Sequence, residues 1–221
     1  MRKFVLFSAF ILMFFLSSAR AEIQTIRNGH INYYGEGVIN MPKSFKIYSE
    51  PDKNSDAVYS IDFEASKKSA IVKKPSTKGV SFAAFVPETH TALLTVDENR
   101  ENGWYKVFIN QKTGQSGWVY NDNPDDFYTY KRLMYKYGRK YGIRMFNNLP
   151  EDKKILYSKQ SEQSQKLEEL KKPSYMNFTV ITGNWMLVTA REETKHAKVG
   201  WYNWRNDDGT LNVFPNFKEQ H

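Results

Sequence analysis

Apolar and polar positions alternate along much of this chain, and the alternation predicts strands. Trp104, Lys106 and Phe108 form one alternating set and Tyr105, Val107 and Ile109 the other, both rich in aromatic and β-branched residues. Asn110-Gln111-Lys112-Thr113-Gly114 interrupts them as a turn, with Gly114 suited to positive φ, and Gly117-Trp118-Val119-Tyr120 returns as the second arm of a hairpin. Trp185 to Thr189 and Val199 to Trp204 flank a polar connection in the same way. Asn206-Asp207-Asp208-Gly209 is a further turn, leading into an expected strand from Thr210 to Phe214.

These elements recur in the same order, a weak internal repeat. Phe45-Lys46-Ile47-Tyr48-Ser49 opens the first unit and is followed by the turn-rich run from Glu50 to Ser55. Lys154-Ile155-Leu156-Tyr157-Ser158 opens the second and is followed by Lys159 to Ser164. Each unit then has a tryptophan strand, at Trp104 and Trp185, and a closing glycine-tryptophan strand, at Gly117-Trp118 and Gly200-Trp201.

Between the units the period changes. Asp125-Asp126 is placed to cap a helix, and Phe127, Tyr130, Met134, Tyr137 and Tyr141 then recur at three- and four-residue steps, on one helical face. Lys131, Arg132, Lys136, Arg139, Lys140 and Arg144 share this stretch with no acid among them, and Gly138 and Gly142 leave its end open. The first unit carries an insertion over about Ala65 to Thr95. Its basic piece, Lys67 to Gly79, reads as an exposed loop. Its apolar piece, Val80 to Val86, must pair or pack, since a long apolar run in water is a liability.

The first residues have a separate logic. Arg2 and Lys3 precede a nearly unbroken apolar run from Phe4 to Leu16, and Ala19-Arg20-Ala21 is a small-x-small cleavage site. That order is a secretory signal, with Glu22 as the new N-terminus. An uncleaved anchor would need roughly 20 apolar residues, more than this run supplies, and no later segment is long and apolar enough to span a bilayer. No cysteine follows the run, which excludes a bacterial lipoprotein anchor. Losing Arg2, Lys3 and Arg20 takes 32 basic residues to 29 against 24 acidic ones, a formal +5. That balance favours anionic surroundings without implying nucleic acid. The segments are then a signal over 1–21, an N-terminal segment over 22–40, a first unit over 41–123, a helical linker over 124–149 and a second unit over 150–221.

Taken together, these residues resemble the bacterial SH3-like domain. The second unit carries Leu156-Tyr157-Ser158, Lys166 to Lys172, Phe178-Thr179-Val180-Ile181, Trp185-Met186-Leu187-Val188 and Gly200-Trp201-Tyr202. The first carries its opening strand and the closing hairpin from Trp104 to Val119. The resemblance implies that each unit is a small SH3-like β-barrel, so the expected chain is mainly β, two such barrels joined by the short helix read from the spacing of Phe127 to Tyr141. It also implies a binding or spacer module in the cell envelope, often near peptidoglycan, and no reaction.

Candidate chemistry is sparse. With no cysteine, a thiol nucleophile and disulfides are both excluded. His30, His90, His196 and His221 include no pair at zinc-ligand spacing, so no metal and no cofactor is expected. Asp125-Asp126, Glu168-Glu169 and Asp207-Asp208 are paired acids, but sequence neighbours do not flank a substrate by themselves, and a cap, a solvated face and a turn are the plainer readings.

The aromatics remain. Trp104, Trp118, Trp185 and Trp201 stand where the resemblance places structural residues, while Tyr48, Tyr105, Tyr120, Tyr157, Tyr202 and Trp204 are the candidate ligand platforms. Alternation says that some of these face outward, not which. Lys131, Arg132, Lys136 and Arg139 are a candidate basic stripe for anionic polymers, or simply a solvated face. The expected function is a periplasmic or secreted, non-catalytic module recognising peptidoglycan or an envelope protein. A spacer without a small ligand is the second reading and a carboxylate-based hydrolase the third.

Overall fold

The computed structural model describes residues 34–62, 80–86, 89–100, 102–147, 149–171, 173–192 and 196–217. The signal over 1–21, the exposed loop over 67–79, His30 and His221 lie outside the described residues. The described chain is mainly β. The first part contains β1 (Gly37–Asn40), β2 (Ser44–Tyr48), β3 (Ala57–Asp62), β4 (Phe82–Val86), β5 (Thr91–Asn99), β6 (Trp104–Asn110), β7 (Gln115–Tyr120) and β8 (Phe127–Thr129). A helical segment follows as α1 (Tyr130–Leu133), a wider π turn (Met134–Gly138) and α2 (Arg139–Tyr141). The second part contains β9 (Ile143–Met145), β10 (Ile155–Tyr157), β11 (Lys166–Glu169), β12 (Tyr175–Thr182), β13 (Trp185–Arg191), β14 (Lys198–Asn203) and β15 (Val213–Pro215).

The same five-strand order appears twice. In the first sheet it is β3-β2-β7-β6-β5, and in the second β11-β10-β14-β13-β12, antiparallel throughout. The first sheet has eight strands because β1 and β8 extend it beyond β5, and β4 pairs with the first half of β5. Neither sheet closes on itself among the described residues, so each ends in edge strands rather than forming the closed barrel expected.

Burial explains why β5 lacks alternation. Ala92, Leu94 and Val96 point into a core shared with Ile39, Ile47, Tyr105 and Val107. Leu93, with Val38 of β1, points the opposite way. A strand buried on both faces reads as a continuous apolar run. The opposite side is a second core in which Tyr130, Leu133 and Met134 of the helix meet Leu156, Met186 and Val188 of the second unit. The helix is thus held by both units. Fully burying each such aliphatic side chain contributes roughly 1.5–3 kcal/mol.

The helix is shorter than its sequence period suggested. Phe127 to Thr129 pair with β1 as strand β8, and the helix begins at Tyr130 with Thr129 as its cap, its hydroxyl accepting from the Arg132 amide at 3.3 Å. The Phe127 amide donates to Pro124 O at the end of the short turn before it, and its carbonyl accepts from the Arg132 guanidinium at 3.2 Å, so both groups are satisfied without a helix start at Phe127. A Cβ on Gly138 would stand 3.1 Å from both Ile143 and Phe178, so glycine lets the helix lie close on β12. Gly142, at φ 75°, ends it in a conformation that L side chains rarely adopt.

Other boundaries differ as well. β1 falls in the stretch read as an N-terminal segment, and β5 begins inside the stretch read as an insertion. The expected strand from Thr210 is β15, and it pairs with β9 after the helix instead of extending the second sheet.

Candidate functional site

The loops that follow the two opening tyrosines are copies at the level of hydrogen bonds. In the first, the Ser49 amide donates to Asp56 O at 3.0 Å, and the Ser55 hydroxyl donates to Glu50 O at 3.1 Å and Asp52 O at 2.8 Å. In the second, the Ser158 amide donates to Gln165 O at 2.9 Å, and the Ser164 hydroxyl donates to Lys159 O at 3.2 Å and Ser161 O at 2.8 Å. The serines serve because a hydroxyl reaches back to the carbonyls that a tight loop leaves unpaired. Both loops follow a bulge, between Ile47 and Tyr48 and between Leu156 and Tyr157.

The aromatic pairing is also repeated. Tyr48 stands opposite Trp118 in the ladder and meets Trp104 edge to face at 5.6 Å. Tyr157 stands opposite Trp201 and meets Trp185 edge to face at 5.6 Å.

The units diverge in what covers the tryptophan. In the first, Trp104 is paired across the ladder with Tyr120, whose ring it meets at 5.4 Å, and the Lys53 ammonium lies 3.6 Å over Tyr120. Trp104 is left 7% exposed. In the second, Asn203 stands at the position of Tyr120, and Trp185 is half-buried. The smaller side chain leaves a cleft of about 600 Å³, lined by Trp185, Asn203 and Asn206, by Gln160 to Gln163, and by Asp207 and Asp208. That volume is within the range of small-ligand sites.

Both walls are held in place by hydrogen bonds within the chain. Asn212, fully buried, donates to Asn203 O at 2.9 Å and to the side-chain oxygens of Asn203 and Asn206, both at 3.1 Å. Asn206 donates back to Asn212 Oδ1 at 3.1 Å and to Thr210 Oγ1 at 2.8 Å. Asn184 Nδ2 donates to Asp207 Oδ1 at 2.9 Å, and Asp208 accepts from the Thr210 amide and hydroxyl at 2.9 and 2.7 Å. On the facing wall Lys153 and Glu162 are ion-paired at 2.8 Å. Burial works to lower the pKa of the Lys153 ammonium, but its hydrogen bond and attraction to Glu162 outweigh this and the net shift is upward. Burial first, then the Glu162 charge, raise Tyr157.

The candidate platforms separate by exposure. Tyr48 and Tyr120 are half-buried beside Trp104. Tyr105, Tyr157, Tyr202 and Trp204 are buried, so as exposed platforms they are corrected to core residues. Tyr105 stacks on Phe127 at 5.6 Å within the first core. The Tyr202 hydroxyl donates to Lys153 O at 2.7 Å, and Trp204 Nε1 donates to Gly183 O at 3.0 Å. Trp118 is buried like Trp104, while Trp201 is half-buried like Trp185. Sequence reasoning assigned Trp185 to the core and overlooked Gln160, Gln163, Asn203 and Asn206. The one visible signal was the asparagine opposite Trp185 where the first unit has a tyrosine.

Lys131, Arg132, Lys136 and Arg139 are all exposed, but three of them are engaged with rings of β8 and of the helical segment. Lys136 donates to the Tyr128 hydroxyl and lies 4.4 Å over that ring. Arg139 lies 4.6 Å over Tyr135 and donates to Thr179 O, and Arg132 lies 5.1 Å over Tyr128 and pairs with Asp125 at 3.0 Å.

Among the described residues no group of three or more His, Cys, Asp or Glu could hold a metal ion, and no helix is long and apolar enough to cross a membrane. No family model matches the chain, and no curated protein matches its sequence significantly.

Proposed function

We propose that this chain is an exported, non-catalytic binding protein of a bacterial cell envelope, built on two SH3-like units, and that its second unit takes peptidoglycan in the Trp185 cleft. The observation that carries the reading is the half-buried indole flanked by amide and carboxylate side chains in two pre-ordered walls. An indole face suits the apolar face of a sugar or the aliphatic part of a peptide, and fixed amides suit hydroxyls and peptide groups. Pre-ordered walls reduce the entropy lost on binding. Glu162, Asp207 and Asp208 favour an ammonium group on the stem peptide.

The test is co-sedimentation of the mature protein with purified peptidoglycan, comparing wild type, Trp185→Ala and Trp104→Phe. Pelleting that is lost in the first variant and kept in the second supports the reading. Wild-type protein that stays in the supernatant overturns it.

A spacer role is favoured by one observation, the core that the helix shares with both units. That packing would hold two partners at a fixed separation. It predicts capture of envelope proteins with no pelleting on bare peptidoglycan. The three carboxylates at the cleft are each bound within the chain, to Lys153, Asn184 and Thr210, which fits support of the walls better than acid-base work.

A further inference from the structure

A second cleft, of about 650 Å³, shares no lining residue with the tryptophan cleft. It lies between β9, just after the helix, and the start of β12. Its lining includes three cations, Arg144, Lys154 and Lys171, and three large apolar side chains, Phe146, Tyr175 and Met176, with no acidic residue. The geometry follows from the chain's exit at Gly142, where a Cβ would stand 2.9 Å from Met176 O. The two segments touch there and enclose the gap beyond.

The charge in this cleft is not cancelled from within. Lys154 pairs with Glu151 at 2.7 Å, and Glu151 is not part of the lining. Neither Arg144 nor Lys171 forms an ion pair with a described carboxylate. The Arg144 guanidinium instead lies 6.0 Å from the centre of the Phe146 ring, beside an apolar surface. Glu151 has its carboxyl held below the usual range, by its hydrogen bond and attraction to Lys154 first, then by a hydrogen bond with Glu169, and last by the charge of Lys171. Tyr175 is 45% exposed, an aromatic side chain left accessible at the mouth of a cationic recess. Exposed cations are common on protein surfaces and by themselves mark no site. Here they converge with aromatic and thioether groups in a concavity of ligand size.

We propose that this cleft is a binding site for an organic anion, a carboxylate or phosphate monoester attached to a flat apolar body. Arg144 and Lys171 would take the anionic group, and Phe146, Tyr175 and Met176 the apolar body. The site stands independently of the peptidoglycan reading, since it uses other residues and an opposite charge.

The test is titration of the mature protein with benzoate, phenyl phosphate, inorganic phosphate and benzyl alcohol, followed by backbone amide NMR. Benzoate or phenyl phosphate is expected to give saturable shifts at Arg144, Phe146 and Tyr175, with benzyl alcohol and inorganic phosphate at least about tenfold weaker. The preferred head group then separates carboxylate from phosphate sources. Lys171→Gln, at an exposed position, and the double variant with Arg144→Gln should weaken binding about tenfold or more at unchanged melting temperature. Shifts scattered over exposed lysines, equal binding of the neutral alcohol, equal binding of bare phosphate, or an unaffected Lys171→Gln variant would each overturn the proposal.

Discussion

Tyr157 meets Trp185 edge to face, with ring centres 5.6 Å apart and planes at 87°, and this pair forms the buried side of an indole whose other side faces a cleft. Tyr48 and Trp104 make the same contact at 5.6 Å and 79°, but there Tyr120 and Lys53 close the open side. One geometry therefore serves packing in the first unit and leaves a surface in the second. Trp104→Ala is expected to destabilise by about 3–5 kcal/mol, as for emptying a buried aromatic site. Trp185→Ala should cost less than Trp104→Ala, because part of the ring is already in water, while abolishing peptidoglycan binding. Urea melts together with sedimentation check both. Equal melting costs would mean that the two rings do not differ in role.

Asn212 should behave as the anchor of one cleft wall. Asn212→Ala removes the donor shared by Asn203 and Asn206 and leaves their half-buried acceptors unpaired, at about 1 kcal/mol. Ligand affinity should fall as well, although Asn212 is not in the cleft lining. Unchanged affinity in a folded variant would show that the wall is held by the 206–210 turn alone.

Tyr202 sets an alkaline limit. Burial pushes its phenol far above the ordinary value of 10.0, so the folded protein keeps a proton that the unfolded chain releases. The unfolded state binds fewer protons above that value, and stability falls as pH rises. The contribution is fully present below about pH 10. Melting temperatures from pH 8 to 12 should decline more steeply in wild type than in Tyr202→Phe. Parallel declines would assign the alkaline limit to other groups.

The basic residues of the helix should affect stability as well as charge. Replacing Arg132, Lys136 and Arg139 by Gln removes ring contacts of about 0.5–1 kcal/mol each at exposed positions. Lys131→Gln, at a position without such a ring contact among the described residues, should be silent in the same thermal melt. If all four substitutions are silent, the rings hold the helix without help from the cations.

Export predicts a processed protein. Intact mass from the native envelope fraction should lack residues 1–21, and a mass retaining them would overturn the assignment of the leader.

Much of the β architecture was legible in the chain because its determinants are local. Alternation in Tyr105, Val107 and Ile109, the turn at Gly114 and the doubled order of opening tyrosine, tryptophan strand and glycine-tryptophan strand each depend on a few neighbouring residues. The two hairpins and the repeat therefore appear in the sequence at nearly the positions they occupy in the fold. Tertiary structure decided everything that depends on which second surface arrives. Phe127 keeps helical spacing with Tyr130, yet pairing with β1 makes it a strand residue. Ala92 to Val96 carry no period because β5 is covered on both faces. Trp104 and Trp185 look alike as sequence, and Tyr120 across the ladder closes one where Asn203 leaves the other open. Exposure of a ring is set by what packs against it, and here that residue sits on the facing strand of the hairpin, outside the short window in which alternation is read.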